Sequence, residues 1–286
     1  MTSAVPAVAV TGATGRLGGR VARRLAANGV SQRLVVRDPS RAPELRGASV
    51  VRAAYDEPTA VRRALADVPT VLMVSASESP DRVHQHTEFV DAAVAAGVQH
   101  LVYVSFYGAA PDATFTLARD HFITERHIAA TGLRHTFLRD NLYADFVPAL
   151  LGDDDVIRGP AGDGRVAPVA QDDVADAATA VLLDPLPSDG ATYSLTGPES
   201  LTLAEVAAVL TSVLGRPVRY HDETVAEAVA SRARYQAPPW QVEAWVSTYT
   251  AIAAGELAGV TEDVPRLTGH PATPLAEVVR RAAAAG

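Results

Sequence analysis

The sequence contains neither cysteine nor lysine. Without cysteine there are no disulfides, no thiol catalysis and no cysteine-ligated metal, and no metal site is expected. The lack of lysine excludes more. All 25 basic residues are arginine, which rules out a Schiff-base lysine, a phosphate-loop lysine and any tyrosine–lysine proton-donor pair. A basic run is missing too, and the formal net charge is -8. Sequence-independent nucleic-acid binding is therefore disfavoured, because neutralising phosphates takes clustered cations, and there is no polybasic membrane anchor. No stretch approaches the roughly 20 apolar residues of a membrane span. The N-terminus has no basic leader region, contains Pro6 and runs directly into a glycine turn. These features lead us to expect no signal peptide and a cytoplasmic protein.

What is present reads as an ordinary globular chain, 48% hydrophobic and 20% charged. Its length allows one large core, or a core with a smaller lobe. The organising stretch is Ala7 to Gly18, a short apolar run that ends in Gly12-x-x-Gly15-x-x-Gly18 and opens an amphipathic segment from Arg16 to Asn28. Glycine permits backbone conformations and close approaches that a Cβ would block. In a strand–turn–helix setting, main-chain N–H groups and the helix N-terminus can hold a pyrophosphate.

Further along, apolar runs at 32–37, 50–51, 70–74, 100–104 and 134–138 read as strands. The segments 58–66, 80–96 and 117–131 read as the helices between them. This alternation predicts an α/β, doubly wound parallel sheet of the Rossmann type with helices on both faces. From Asn141 the pattern loosens into a glycine loop at 159–164, a strand over 166–170, a helix over 172–183 and a last strand at 191–195. Helices over 202–214, 225–234, 240–254 and 274–284 then predict a smaller, mostly helical C-terminal substrate lobe. We expect the core to cover about 5–140 and 166–196, and the lobe about 141–165 and 197–286, in a single nucleotide-binding domain.

The residue that ends the second strand distinguishes the cofactors. A carboxylate there suits the ribose hydroxyls of NAD. This chain has Arg37, with Arg41 one turn on, and two guanidiniums suit a 2′-phosphate. NADP(H) is thus expected over NAD(H). Asp38 would repel that phosphate, or it would cap the turn that Pro39 begins. Parallel sheets bind ligands beyond the carboxyl ends of their strands. That rule adds Ser75, Ala76 and Ser77 after the fourth strand, Ser105 after the fifth and Arg139 after the sixth. With Thr11, Gly12, Thr14, Gly15, Arg16, Leu17, Gly18, Arg37 and Arg41 they form the expected cofactor-binding set. His121 and Glu125 lie one turn apart on the next helix, and His121 is a candidate weak proton donor near neutral pH. Asn141 and Tyr143 complete the candidate catalytic set, placed to orient an aromatic substrate or the nicotinamide. Trp240, Trp245 and Tyr249 could line a pocket, but helix packing explains each of them too.

Taken together, the chain resembles the NmrA-like branch of the atypical short-chain dehydrogenase/reductases, and within it the NADPH:quinone oxidoreductase 2 and triphenylmethane reductase group. The resemblance rests on Thr11-Gly12-Ala13-Thr14-Gly15-x-Leu17-Gly18, Val36-Arg37-Asp38-Pro39, Ser75-x-Ser77-Glu78 with Gln85-His86, and His121-x-x-Thr124-Glu125. It continues through Leu138-Arg139-x-Asn141-x-Tyr143, Ala161-Gly162-Asp163-Gly164 and Leu267-x-Gly269-His270-Pro271. It implies NADPH at the glycine turn, Arg37 near the 2′-phosphate and a substrate pocket under the C-terminal lobe. Ser105 stands where short-chain dehydrogenases carry a catalytic serine, without the usual tyrosine and lysine. The chain departs from the family pattern at Asp38, usually asparagine, and at Ala54, where an acidic residue often precedes the Tyr55 position near the adenine.

Hydride transfer to an ordinary ketone produces an alkoxide that needs an acid or an oxyanion hole. A quinone yields a stabilised anion, and a cationic dye carbon yields a neutral product. The expected function is therefore an NADPH-dependent oxidoreductase acting on a small aromatic, quinone-like or other electron-poor conjugated substrate. The alternative is a non-catalytic, NAD(P)(H)-sensing regulator. Neither nucleic acid nor membrane is an expected partner, and the chain is expected to be a monomer or a homodimer.

Overall fold

The computed structural model describes residues 7–285, so residues 5 and 6 of the expected core lie outside the described residues. Among the described residues eleven strands run in chain order: β1 Val8–Thr11, β2 Gln32–Val36, β3 Ala48–Arg52, β4 Thr70–Val74, β5 His100–Phe106, β6 Arg134–Asp140, β7 Val156–Gly159, β8 Arg165–Val166, β9 Thr192–Leu195, β10 Leu201–Thr202 and β11 Arg219–Asp222. Ten α-helices accompany them among the described residues: α1 Arg16–Ala27, α2 Pro58–Ala64, α3 Arg82–Ala95, α4 Thr116–Ala130, α5 Gln171–Leu183, α6 Leu203–Leu214, α7 Val225–Arg232, α8 Pro239–Ala253, α9 Asp263–Thr268 and α10 Leu275–Ala285.

Seven strands form one sheet in the order β3-β2-β1-β4-β5-β6-β9. β1 pairs in parallel with β2 (Val8↔Gln32) and with β4 (Val8↔Thr70), and β2–β3 and β4–β5 are parallel as well. Their continuous apolar runs suit strands covered on both faces. On one face Ala9, Val35, Val71, Met73, Leu101 and Tyr103 pack against Val61 and Leu65, Phe89 and Val90 of α3, and Ile128 of α4. Each fully buried large side chain there contributes about 1.5–3 kcal/mol. The strand order reverses at β1: β2 lies on one side of it and β4 on the other. A Rossmann sheet receives its ligand at this topological switch point.

By internal contacts the chain resolves into two compact units. The first runs through Ser105 and takes in Asp120–Arg139 and Val174–Tyr193; the second comprises Phe106–Arg119, Asp140–Asp173 and the chain from Ser194 onward. Residues 106–119, 140, 166–173 and 194–196, expected in the core, thus cluster with the second unit. That unit has its own apolar centre, which includes Ile157, Leu210, Ile252, Leu257 and Leu275.

The second unit departs most from the sequence reading. The strand expected over 166–170 shortens to Arg165–Val166, which pairs antiparallel with Leu201–Thr202. Val156–Gly159, in the loosened stretch, is a strand paired in parallel with Arg219–Asp222, and Asp263–Thr268 is a helix the pattern did not reveal. Segments this short carry too few apolar positions to establish a period. Among the described residues no helix is long and apolar enough to cross a membrane.

Candidate functional site

The glycine turn is shaped by two contacts. Gly12 adopts φ +63°, and its carbonyl accepts the Gly15 N–H at 2.9 Å. At Gly18 a Cβ would lie 2.5 Å from Gly12 O and 2.7 Å from Thr11 O, so only glycine lets α1 approach β1 this closely. Leu17 is buried and anchors the helix, Thr14 is half-buried, and Arg16 is exposed. α1 starts at Gly15 with no side-chain cap and no acidic residue in its first turn. Its first N–H groups and its positive dipole end are thus met by no side-chain cap and no first-turn carboxylate, an arrangement that favours an anion there.

Thr11 does not point into this cradle. It is fully buried, and its Oγ1 accepts the Val74 N–H at 2.9 Å. The Tyr55 hydroxyl donates to Val74 O at 2.6 Å, leaving the Thr11 hydroxyl to donate to Tyr55, also at 2.6 Å. This closed ring ties the ends of β1 and β4 to the β3–α2 connection. Burial pushes the Tyr55 phenol up, well clear of ionisation at neutral pH.

Arg37 directly follows β2, and Arg41 ends the 3-10 turn Pro39–Arg41; both are exposed. Among the described residues neither guanidinium has a hydrogen bond or ion pair. The Asp38 carboxylate accepts the Ser40 N–H at 3.0 Å and the Ser40 hydroxyl at 2.7 Å. These two bonds hold its carboxyl below the usual carboxylate range. Asp38 is therefore the cap of this turn, and both arginines remain available to a phosphate.

Beyond β4, Ser75 and Ala76 are half-buried and Ser77 is exposed. The Ala76 N–H donates to Nε2 of His86 at 2.8 Å, and Nε of Arg82 donates to Ala76 O at 3.1 Å. His86 Nδ1 then carries the proton and donates to Thr124 Oγ1 at 2.9 Å, and Thr124 donates to Asp120 O at 2.8 Å. Arg82 Nη2 reaches Nε2 of His121 at 2.8 Å, and Tyr103 Oη lies 2.9 Å from His121 Nδ1. An arginine can only donate, so Nε2 of His121 is an acceptor and Nδ1–H donates to Tyr103. His121 is buried. Desolvation, then the charge of Arg82, pushes its pKa well below the ordinary histidine value. The imidazole is neutral at neutral pH, with both nitrogens engaged.

The Ser105 hydroxyl donates to Glu125 Oε1 at 2.6 Å. Arg139 grips the same carboxylate through Nε at 2.8 Å and Nη2 at 2.5 Å, and that grip raises the arginine's own pKa. In the second unit Asn141 Nδ2 donates to Leu257 O at 3.0 Å, while its Oδ1 accepts the Leu142 N–H at 2.8 Å. The Tyr143 hydroxyl donates to Asp140 Oδ2. Burial, then the Asp140 charge, drives that phenol well above its ordinary value. Tyr249 packs its ring against Gly159 and under Arg232, and Trp245 meets Tyr235 edge-on, which is helix packing for both.

The structure therefore gathers the glycine turn, Arg37, Arg41 and Ser75–Ser77 at the carboxyl ends of β1, β2 and β4. It commits Thr11, Ser105, His121 and Arg139 to hydrogen bonds within the first unit, and Asn141 and Tyr143 to bonds within the second. Sequence reasoning missed Arg82, Tyr103 and the structural role of Tyr55, and it noted His86 only as part of a motif. A signal existed for two of them. Arg82 and His86 fall in phase with the buried stripe Phe89, Val90 and Ala93 of α3, and polar residues on an apolar face call for partners.

Comparison with known proteins gives concordant results. Residues 6–236 match the profile of the NmrA-like family. The chain is 33% identical to quinone oxidoreductase 2 of Escherichia coli (strain K12) over 280 residues, covering 95% of this chain and 97% of that protein. It is 34% identical over 286 residues to an NAD(P)H azoreductase of Xenophilus azovorans, covering 97% and 98%. A crystal structure of the NADPH-dependent quinone oxidoreductase QOR2 from Escherichia coli, complexed with NADPH, superposes with a TM-score of 0.88 at 32% identity, covering 96% of this chain and 99% of that one.

Proposed function

This chain belongs to the NmrA-like family, and we propose that it is an NADPH-dependent oxidoreductase that reduces quinone-like or other electron-poor conjugated small molecules. One observation carries the reading: the glycine turn that opens α1 stands in a chain that has no lysine, and His121 is buried with both ring nitrogens hydrogen-bonded. NADPH supplies the hydride when bound. The N–H groups at the start of α1 would hold the pyrophosphate, and Arg37 with Arg41 would hold the 2′-phosphate. Ser75–Ser77 receive the nicotinamide side, because β4 lies across the switch point from β2.

Among the described residues of the first unit, neither His121 nor Ser105 offers a strong acid. His121 is neutral at neutral pH and gives its Nδ1–H to Tyr103, and the Ser105 hydroxyl is given to Glu125. An acceptor reduced here must therefore tolerate the added hydride without an acid at hand. A quinone meets this condition, because its product anion is delocalised and takes its proton from water. Binding and orientation supply the catalysis, and His121 acts through Arg82 and Tyr103 as a positioning residue. A relative that acts on quinones and another on azo compounds, by their names, support this acceptor class.

Stopped-flow oxidation of NADPH against a panel of quinones tests the proposal. Saturable turnover, with NADPH preferred over NADH, is expected. Tight NADPH binding with no turnover on any acceptor would overturn it in favour of nucleotide sensing.

A further inference from the structure

The turn after β4 is short and partly exposed, yet the Ala76 peptide is gripped at both ends. His86 Nε2 accepts its N–H at 2.8 Å, and Arg82 Nε donates to its carbonyl at 3.1 Å. Both side chains come from α3, four residues apart and on one face. Both are buried, His86 completely. Burying a guanidinium and an imidazole is costly unless every polar atom is matched, and the apolar residues Phe89 and Val90 already pack this face of the helix. A partly exposed Ser-Ala-Ser turn needs no such clamp for its own stability.

The clamp also has one defined hydrogen-bonding state. Nε2 of His86 is an acceptor, so Nδ1 bears the proton and donates to Thr124, which donates onward to Asp120 O. Turning the ring over would break the Ala76 bond and the Thr124 bond together. The turn it holds lies on the β4 side of the switch point, opposite Arg37 on the β2 side. With the pyrophosphate at α1 and the adenosine phosphate at Arg37, the other half of the dinucleotide must cross the end of β4.

We propose that His86 and Arg82 are positioning residues which, by clamping the Ala76 peptide, shape the turn that receives the nicotinamide–ribose half of NADPH and act on that half alone. The inference rests on the dinucleotide-site reading above, but not on which acceptor is reduced.

Two variants separate the two bonds of the ring. In His86→Asn the side-chain amide nitrogen takes the place of Nδ1, keeping the Thr124 bond and losing the Ala76 bond. In His86→Gln the side-chain oxygen takes the place of Nε2 and keeps the Ala76 bond. The readout is equilibrium binding of NADPH and of adenosine 2′,5′-bisphosphate, which carries only the adenosine half, with far-UV circular dichroism as the folding control. We expect H86N to bind NADPH roughly tenfold more weakly, the loss of about one hydrogen bond. It should bind the bisphosphate within about twofold of the unmodified chain, and H86Q should resemble the unmodified chain with both probes. Equal weakening of both probes in H86N, or no change in either, would overturn the proposal. A second measurement needs no variant: in the unmodified chain without nucleotide, the Ala76 amide should exchange with deuterium far more slowly than the Ser77 amide. Equal rates would mean that the clamp does not exist in solution. Failure of the reductase reading would look different, with unchanged binding and no turnover.

Discussion

The Ser105 hydroxyl donates to Glu125 at 2.6 Å, and Glu125 is itself held by Arg139 through two nitrogens. The serine at the end of β5 is thereby spent on orienting a buried carboxylate of α4 rather than left to a substrate. Ser105→Ala should therefore leave hydride transfer at saturating NADPH within a fewfold of normal. It should cost about 1.5–3 kcal/mol of stability, the worth of a hydrogen bond to a charged group. Stopped-flow rates and urea unfolding measure the two effects, and a hundredfold loss of rate with stability intact would restore Ser105 to a catalytic role.

Arg37 makes no hydrogen bond or ion pair among the described residues, so its guanidinium is available to a ligand. Arg37→Ala should weaken NADPH binding by roughly 10- to 100-fold, as a lost charge-assisted contact predicts, and leave NADH nearly unchanged. A fluorescence titration of both nucleotides reads the ratio directly. An unchanged ratio would place the 2′-phosphate elsewhere.

Gly18→Ala puts a Cβ 2.5 Å from the Gly12 carbonyl, against backbone that cannot swing away. The turn or the helix must shift, at a cost of about 1–3 kcal/mol, and the pyrophosphate site shifts with it. Loss of NADPH binding in a chain that still folds is the expected outcome. Wild-type affinity in that variant would refute the close-approach role of Gly18.

Acid should destabilise the fold through its buried histidines. His86 is pushed down to about 3 by burial and by the adjacent Arg82 charge, whereas the unfolded value is near 6.5. Between these values the unfolded chain binds the extra proton, so this contribution is whole above pH 6.5 and is lost as pH falls towards 3. The slope is about 1.4 kcal/mol per pH unit, or ~2 kcal/mol by pH 5. His121 is shifted in the same direction. Urea unfolding between pH 7 and 5 should show the decline, and His86→Gln should flatten it. An equally steep profile in that variant would assign the pH dependence to other groups.

The first unit was legible because its signals are local and repeated. Each βα step has an apolar run followed by a turn residue and an amphipathic segment, and Thr70–Val74 matches its expected bounds residue for residue. The second unit was less so: β7, β8, β10 and β11 have two to four residues each, and such strands are selected by the partner they meet rather than by a period of their own.

The functional residues divide along the same line. Sequence by itself determined the glycine turn between β1 and α1, because only glycine allows the close approach of the helix to the strand at Gly18. It also excluded a tyrosine–lysine pair, because no fold can supply a lysine that the chain does not contain. Only the tertiary structure decided the states of the buried polar groups. Thr11, Ser105 and His121 could each have faced a ligand from their places in the chain. Each instead meets a partner distant in sequence: Tyr55, Glu125 and Arg82. A buried donor or acceptor must be paired, and which partner does the pairing depends on how helices and strands far apart in the chain are brought together.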